Sequence, residues 1–191
     1  MNTEPKQERK STPLRGLFGC LGAIAILGCG LAWGVNYVRE RARLSHESSM
    51  KELRESTFQA VKQGRSAASI MDSKLLPMLA QDADCRSIVK RLDFFSMTID
   101  PSDAVFVSEL SNVTSMTFYC TRGTKELLIA AEKLPIAELY FEMADLSDDS
   151  FLILKRFPKL KQVRIEHIVK DAWIDSLRSE MPNVIFETPN Q

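Results

Sequence analysis

Three short apolar beats constrain this chain more than any other feature: Val113-x-x-Met116-x-Phe118, Ile136-x-x-Leu139-x-Phe141 and Leu160-x-x-Val163-x-Ile165. They sit 23 and then 24 residues apart, and a looser copy, Leu92-x-x-Phe95-x-Met97, begins 21 residues before the first. Each beat is short and alternating, as a strand with one buried face requires. A second apolar set follows each at helical spacing: Phe106 and Leu110; Leu127, Leu128, Ala131 and Leu134; Phe151, Leu154 and Phe157; Ile174, Leu177 and Met181. Ser147-Asp148-Asp149 reads as a helix start. Pro135, Pro158 and Pro182, each directly after an apolar residue, read as helix stops. Every unit is therefore strand, loop, helix, loop, and successive strands run parallel because each helix returns the chain to the same edge. A fixed period of this length predicts a solenoid, in which a unit buries its apolar face only against its neighbours. The fold class is α/β; an ordinary α/β domain with a small parallel sheet would share that class.

The N-terminal part has a different composition. Residues 1–15 are polar, carry Pro5 and Pro13, and read as a disordered tail. Residues 16–38 hold six of the eight glycines and no charged side chain. At about 1.5 Å per residue such a run matches a hydrocarbon core of about 30 Å, so a single-pass transmembrane helix in a lipid bilayer is expected. Trp33 and Tyr37 near its end and Arg39, Arg41 and Arg43 beyond it fit that expectation. Ile26-Leu27-Gly28-Cys29 loosely resembles a lipoprotein processing site, which leaves cleavage or lipidation open. Basic residues flank the run on both sides, leaving orientation open as well. Gly30 and Gly34 form a G-x-x-x-G, a spacing at which two membrane helices approach closely, so a homodimer through this helix is an expectation. Residues 39–66, with Met50, Leu53, Thr57 and Val61 at helical spacing, read as a helical stalk. Residues 67–91 read as an N-terminal helical cap: Ala67 to Ala80 as one helix interrupted near Pro77, then a further turn capped by Asp84. Residues 92–191 form the repeat domain.

The beats resemble the leucine-rich repeat family, whose pattern is L-x-x-L-x-L-x-x-N/C-x-L, over residues 92 to about 187. The chain departs from that pattern at the Asn/Cys position, read here as Asp100, Thr121, Ala144 and Ile168, and other apolar types largely replace leucine. In the family that side chain bonds backbone groups of the loop, so its loss implies looser repeats. The resemblance also implies that the non-core strand residues line a concave face: Ser96 and Thr98, Thr117 and Tyr119, Tyr140 and Glu142, Arg164 and Glu166. Tyrosine and arginine commonly anchor protein interfaces.

Little else in the sequence points to chemistry. The 25 basic and 25 acidic residues cancel, giving no global attraction to nucleic acid. Phosphate-binding, nucleophile-elbow and zinc-protease motifs are absent from the sequence, so neither an enzyme nor a cofactor nor a metal is expected. His167 beside Glu166 reads as a solvated edge pair, and Asp145, Asp148 and Asp149 lack calcium-loop spacing. The four cysteines show no paired spacing and read as small buried hydrophobes. Asn112-Val113-Thr114 is a glycosylation sequon whose Val113 belongs to the core.

The functional expectation is a membrane-anchored, leucine-rich-repeat-like module that contacts an unknown protein partner through Thr117, Tyr119, Tyr140, Glu142, Arg164 and Glu166. Its rival is a membrane-tethered α/β domain that senses a small ligand in an enclosed pocket and signals by helix dimerisation.

Overall fold

The computed structural model describes residues 14–166 and 171–189, without the side chains of 14–34 and of Asp171. The chain divides into two units, residues 1–48 and 49–191. Helix α1 (Leu14–Lys62) starts in the first and ends in the second. In the first unit, Arg43 pairs with Glu40 one turn earlier, and Val35, Tyr37, Val38 and Leu44 are exposed.

The single-pass membrane span expected at 16–38 is corrected here. Among the described residues no helix is long and apolar enough to cross a membrane. The backbone does not end a helix where the apolar run ends: α1 continues past Val38 through Arg39, Glu40, Arg41 and Arg43 to Lys62. The side chains of 16–34, and with them the Gly30–Gly34 contact, Cys20 and Cys29, lie outside the described residues, as does the tail before Leu14.

The second unit is built on one sheet of six parallel strands in sequential order: β1 (Ala67–Ile70), β2 (Arg91–Phe95), β3 (Ser115–Tyr119), β4 (Glu138–Glu142), β5 (Gln162–Ile165) and β6 (Ile185–Glu187). Between successive strands the chain returns through α2 (Leu75–Gln81) and α3 (Ala83–Ile88), α4 (Pro101–Ala104) with the 3-10 turn Val105–Glu109, α5 (Thr124–Ala131), α6 (Asp148–Leu154) and α7 (Asp171–Glu180). One backbone bond recurs where each strand after β1 begins: Lys90 N–H to Ser66 C=O at 2.8 Å, Thr114 to Lys90 at 2.8 Å, Ala137 to Thr114 at 2.7 Å, Lys161 to Ala137 at 2.9 Å and Ile185 to Lys161 at 2.8 Å. Each unit thereby satisfies backbone groups of its neighbour at the same point.

Alternation along the strands creates the core. The register aligns Ala68, Leu92, Met116, Leu139, Val163 and Phe186 in one row. Ile70, Phe94, Phe118, Phe141 and Ile165 form the next, and all of these side chains are buried. Phe94, Phe118 and Phe141 stack nearly parallel, with ring centres 5.4 and 5.0 Å apart. Each buried phenylalanine contributes about 1.5–3 kcal/mol of burial. Leu127, Leu128 and Ala131 of α5 and Phe151, Ile153 and Leu154 of α6 close the other side of that core. Ser147 caps α6 as its sequence predicts, accepting from Ser150 N–H, while the Ser150 hydroxyl accepts from Ser147 N–H.

Four local expectations change. Residues 67–70 form β1 rather than helix, because Ala68 and Ile70 occupy the same two core rows as later beats. Pro77 does not interrupt α2; it sits in the first turn, where proline's missing N–H costs no helical bond. Asp82, not Asp84, caps α3, accepting from Cys85 N–H at 3.0 Å. The last turns of α1, the end of the stretch read as a stalk, pack on this core instead of standing apart from it. Val61 is fully buried, Phe58 packs on the core, Lys62 bonds Asp82 at 2.8 Å, and Arg54 pairs with Asp72. Gly64, at φ +100°, closes that helix while Arg65 N–H reaches back to Ala60 C=O at 3.0 Å.

Candidate interaction face

The side of the sheet opposite the core is set by the same alternation. Its middle row is Ser69, Asp93, Thr117, Tyr140, Arg164 and Glu187; toward the strand ends lie Phe95, Tyr119 and Glu142. Phe95 and Tyr119 stack at 4.7 Å with planes 5° apart, and Tyr119 meets Tyr140 edge-on at 5.5 Å. The Arg164 guanidinium lies 5.4 Å from the centre of the Tyr140 ring, a cation–π arrangement. Four strands thus carry one continuous chain of rings and guanidinium, half-buried or exposed throughout.

Carboxylates hold this row in place. Tyr140 Oη donates to Glu142 at 3.0 Å, Arg164 Nε donates to Glu166 at 2.7 Å, and Arg164 lies 3.9 Å from Glu187. Burial, and then the bond to Glu142, push the Tyr140 phenol up to about 12. The hydrogen bond to Glu166 raises Arg164, keeping it cationic. Arg91 Nε donates to Asp93 at 2.8 Å, which satisfies a carboxylate only 6% exposed. An open groove of about 310 Å³ runs between these side chains, lined by Arg91, Thr117, Tyr119, Glu138, Tyr140 and Arg164.

Of the six residues expected to contact a partner, five are available: Tyr119, Tyr140, Glu142, Arg164 and Glu166. Thr117 shares their face but is 4% exposed, because Asp93 and Tyr140 flank it in the row. Ser96 and Thr98 do not belong to the face. The first beat is Val89-x-x-Leu92-x-Phe94, which places Phe95 outward beside Tyr119 and turns Met97 inward. This register begins 24 residues before Val113, so a stricter reading of the period would have revealed it, along with Phe95. Arg91, Glu138 and Gln162 were missed because they precede the beats' second residue and resemble ordinary solvated positions.

The turn that follows each strand repeats as well. Ser96, Cys120 and Met143 adopt left-handed φ of 47°, 47° and 50°. Such conformations cost of order 1 kcal/mol each and persist where the surroundings impose them. Ser96 N–H bonds Tyr119 C=O, and Cys120 N–H bonds Glu142 C=O, both at 2.8 Å. In this register the position three residues beyond Phe94, Phe118 and Phe141 falls on Met97 rather than Asp100, and again on Thr121 and Ala144. Thr121 is polar there: its buried hydroxyl lies 3.1 Å from Tyr119 C=O and 3.3 Å from Phe94 C=O. Asp145 bonds Gly123 N–H at 2.9 Å and Thr124 N–H at 3.0 Å, so the helix-start acids include one that caps α5 from the following unit. Gly123 is required at φ +79°, where an added Cβ would come within 3.0 Å of Ile99 O.

Cys85 is buried, and burial raises its thiol to about 11; Cys120 is exposed, contrary to expectation, because its left-handed turn points it away from the core. Asn112 of the sequon donates to Ser87 C=O at 3.0 Å, while Val113 is fully buried. Among the described residues no three His, Cys, Asp or Glu side chains converge as a metal ion would need. His167 and Ile168 lie outside the described residues. Comparison of the chain with protein-family models, curated proteins and solved structures finds no match.

Proposed function

We propose that residues 49–191 are a short solenoid of the leucine-rich-repeat kind, whose open sheet face recognises another protein. The observation that carries this reading is the ring-and-guanidinium row Phe95–Tyr119–Tyr140–Arg164 on the solvent side of the sheet. Large aromatic groups set beside arginine, with few rotamers to lose on contact, form the composition of interface anchors. Their positions are fixed before any partner arrives, by strand register and by carboxylate bonds, which lowers the ordering cost of association. The rival ligand-sensing domain requires an enclosed pocket, whereas the groove on this face is open to solvent.

The test is Tyr119→Ala combined with Tyr140→Ala in the full chain. Co-purification of a partner should be abolished while the thermal unfolding midpoint stays within a few degrees. Unaltered partner binding by the correctly folded double variant would defeat the assignment.

A further inference from the structure

We propose that the ligand of this face is a basic, extended segment of a partner protein, whose arginine or lysine side chains seat beside Tyr119 and Tyr140 against Glu138 and Glu142. The inference rests on the open face being the interaction surface, and it adds the chemistry of what binds there.

Charge on the face is one-sided once its internal pairs are removed. Its two cations are already engaged, Arg91 with Asp93 and Arg164 with Glu166. Glu138 and Glu142, which flank Tyr140 on β4, have no cation within ion-pair distance among the described residues. Among the described residues the Glu142 carboxylate accepts only from the neutral Tyr140 hydroxyl, and Glu138 acts on Arg91 only at longer range. Two carboxylates whose charge is not paired therefore flank the Tyr119–Tyr140 couple, and Glu138 also lines the groove beside it.

The protein itself displays the kind of seat proposed. Arg164 lies over the Tyr140 ring while its guanidinium donates to Glu166, so a ring and a carboxylate together hold one cation. Tyr119 and Glu142, register partners on adjacent strands, bring the same two groups together one strand earlier. Strands stand about 4.8 Å apart, and an extended chain places alternate side chains about 7 Å apart. A segment crossing the strands obliquely, at about 45°, thus brings basic residues at alternate positions onto neighbouring strands. The same carboxylates disfavour a phosphate backbone, so nucleic acid does not fit this face.

Fluorescence anisotropy on the full chain tests the proposal with two labelled decapeptides, one alternating arginine with serine and one alternating glutamate with serine. The arginine peptide should bind, and the glutamate peptide should bind at least about tenfold more weakly. Glu138→Gln with Glu142→Gln, which preserves shape, should weaken the arginine peptide about tenfold. Equal or tighter binding of the acidic peptide, or an effect of the glutamine pair below twofold, would overturn the proposal. If Tyr119→Ala with Tyr140→Ala still abolishes partner co-purification while the arginine peptide does not bind, the charge inference fails and the interaction reading stands. If the tyrosine pair affects neither, both fail. Sedimentation showing a dimer of the chain broken by the tyrosine substitutions would assign the face to a second copy and refute the basic ligand.

Discussion

The sheet of the second unit carries two aromatic rows built by one register, and they meet opposite fates. Phe94, Phe118 and Phe141 stack inside the core with ring centres 5.4 and 5.0 Å apart. One residue further along β2 and β3, Phe95 and Tyr119 stack at 4.7 Å on the open side and hand on to Tyr140 and Arg164. The parallel ladder places side chains of neighbouring units beside one another on both faces, so stacking geometry alone does not distinguish core from surface. Cover does: helices α5 and α6 close the first row, and nothing among the described residues of this unit closes the second. Burial makes the first row a source of stability. Exposure leaves the second row's area for a partner.

The widest separation of the two rows should appear on truncation. Phe118→Ala opens a cavity between two stacked rings and should cost about 3–5 kcal/mol, read from chemical denaturation. Phe95→Ala removes a half-exposed ring from the neighbouring row and should cost about 1 kcal/mol or less. Equal losses at the two positions would break the contrast. Thr121 joins β2 and β3 at the strand end, and Thr121→Val should cost about 1 kcal/mol, since its hydroxyl is within bonding distance of one carbonyl in each of these two strands.

The smallest effect is one of pH. Tyr140, held at about 12 by burial and then by its bond to Glu142, should ionise later than an unperturbed tyrosine, near 10. Because its folded-state pKa is raised, its contribution to stability is fully present below about pH 10 and is lost as pH rises through about 12. Ultraviolet titration should show this late phenol, Tyr140→Phe should remove it, and Glu142→Gln should move it downward. A Tyr140 titrating at 10 would show that the open row is fully solvated.

Much of this arrangement was legible because burial imposes a period of two on strands, and a repeated unit imposes a longer one on the chain. The beats at Val113, Ile136 and Leu160 became β3, β4 and β5, with their helix stripes against them. The first unit was harder to read because Phe94 and Phe95 are adjacent and both apolar, and only their partners, Phe118 and Tyr119, decide which one turns inward. In β1 the sequence Ala-Ala-Ser-Ile offers one large side chain, too little to set a strand apart from a helix without its neighbour β2. The stripe ending at Val61 was recognisable as helix, but its packing on the core is accompanied by tertiary pairs that no local pattern reveals, Arg54 with Asp72 and Lys62 with Asp82. The apolar run at 16–38 carries a composition signal alone, and among the described residues no membrane-crossing helix corresponds to it.

The chain has three tyrosines, Tyr37 in the first unit and Tyr119 and Tyr140 on the open face, so fluorine NMR of 3-fluorotyrosine protein tests the central claim most directly. When a co-purified partner is added, the resonances of Tyr119 and Tyr140, assigned by single Tyr→Phe substitutions, should shift or broaden together while Tyr37 stays in place. A saturating partner that leaves both open-face resonances unmoved would contradict the account.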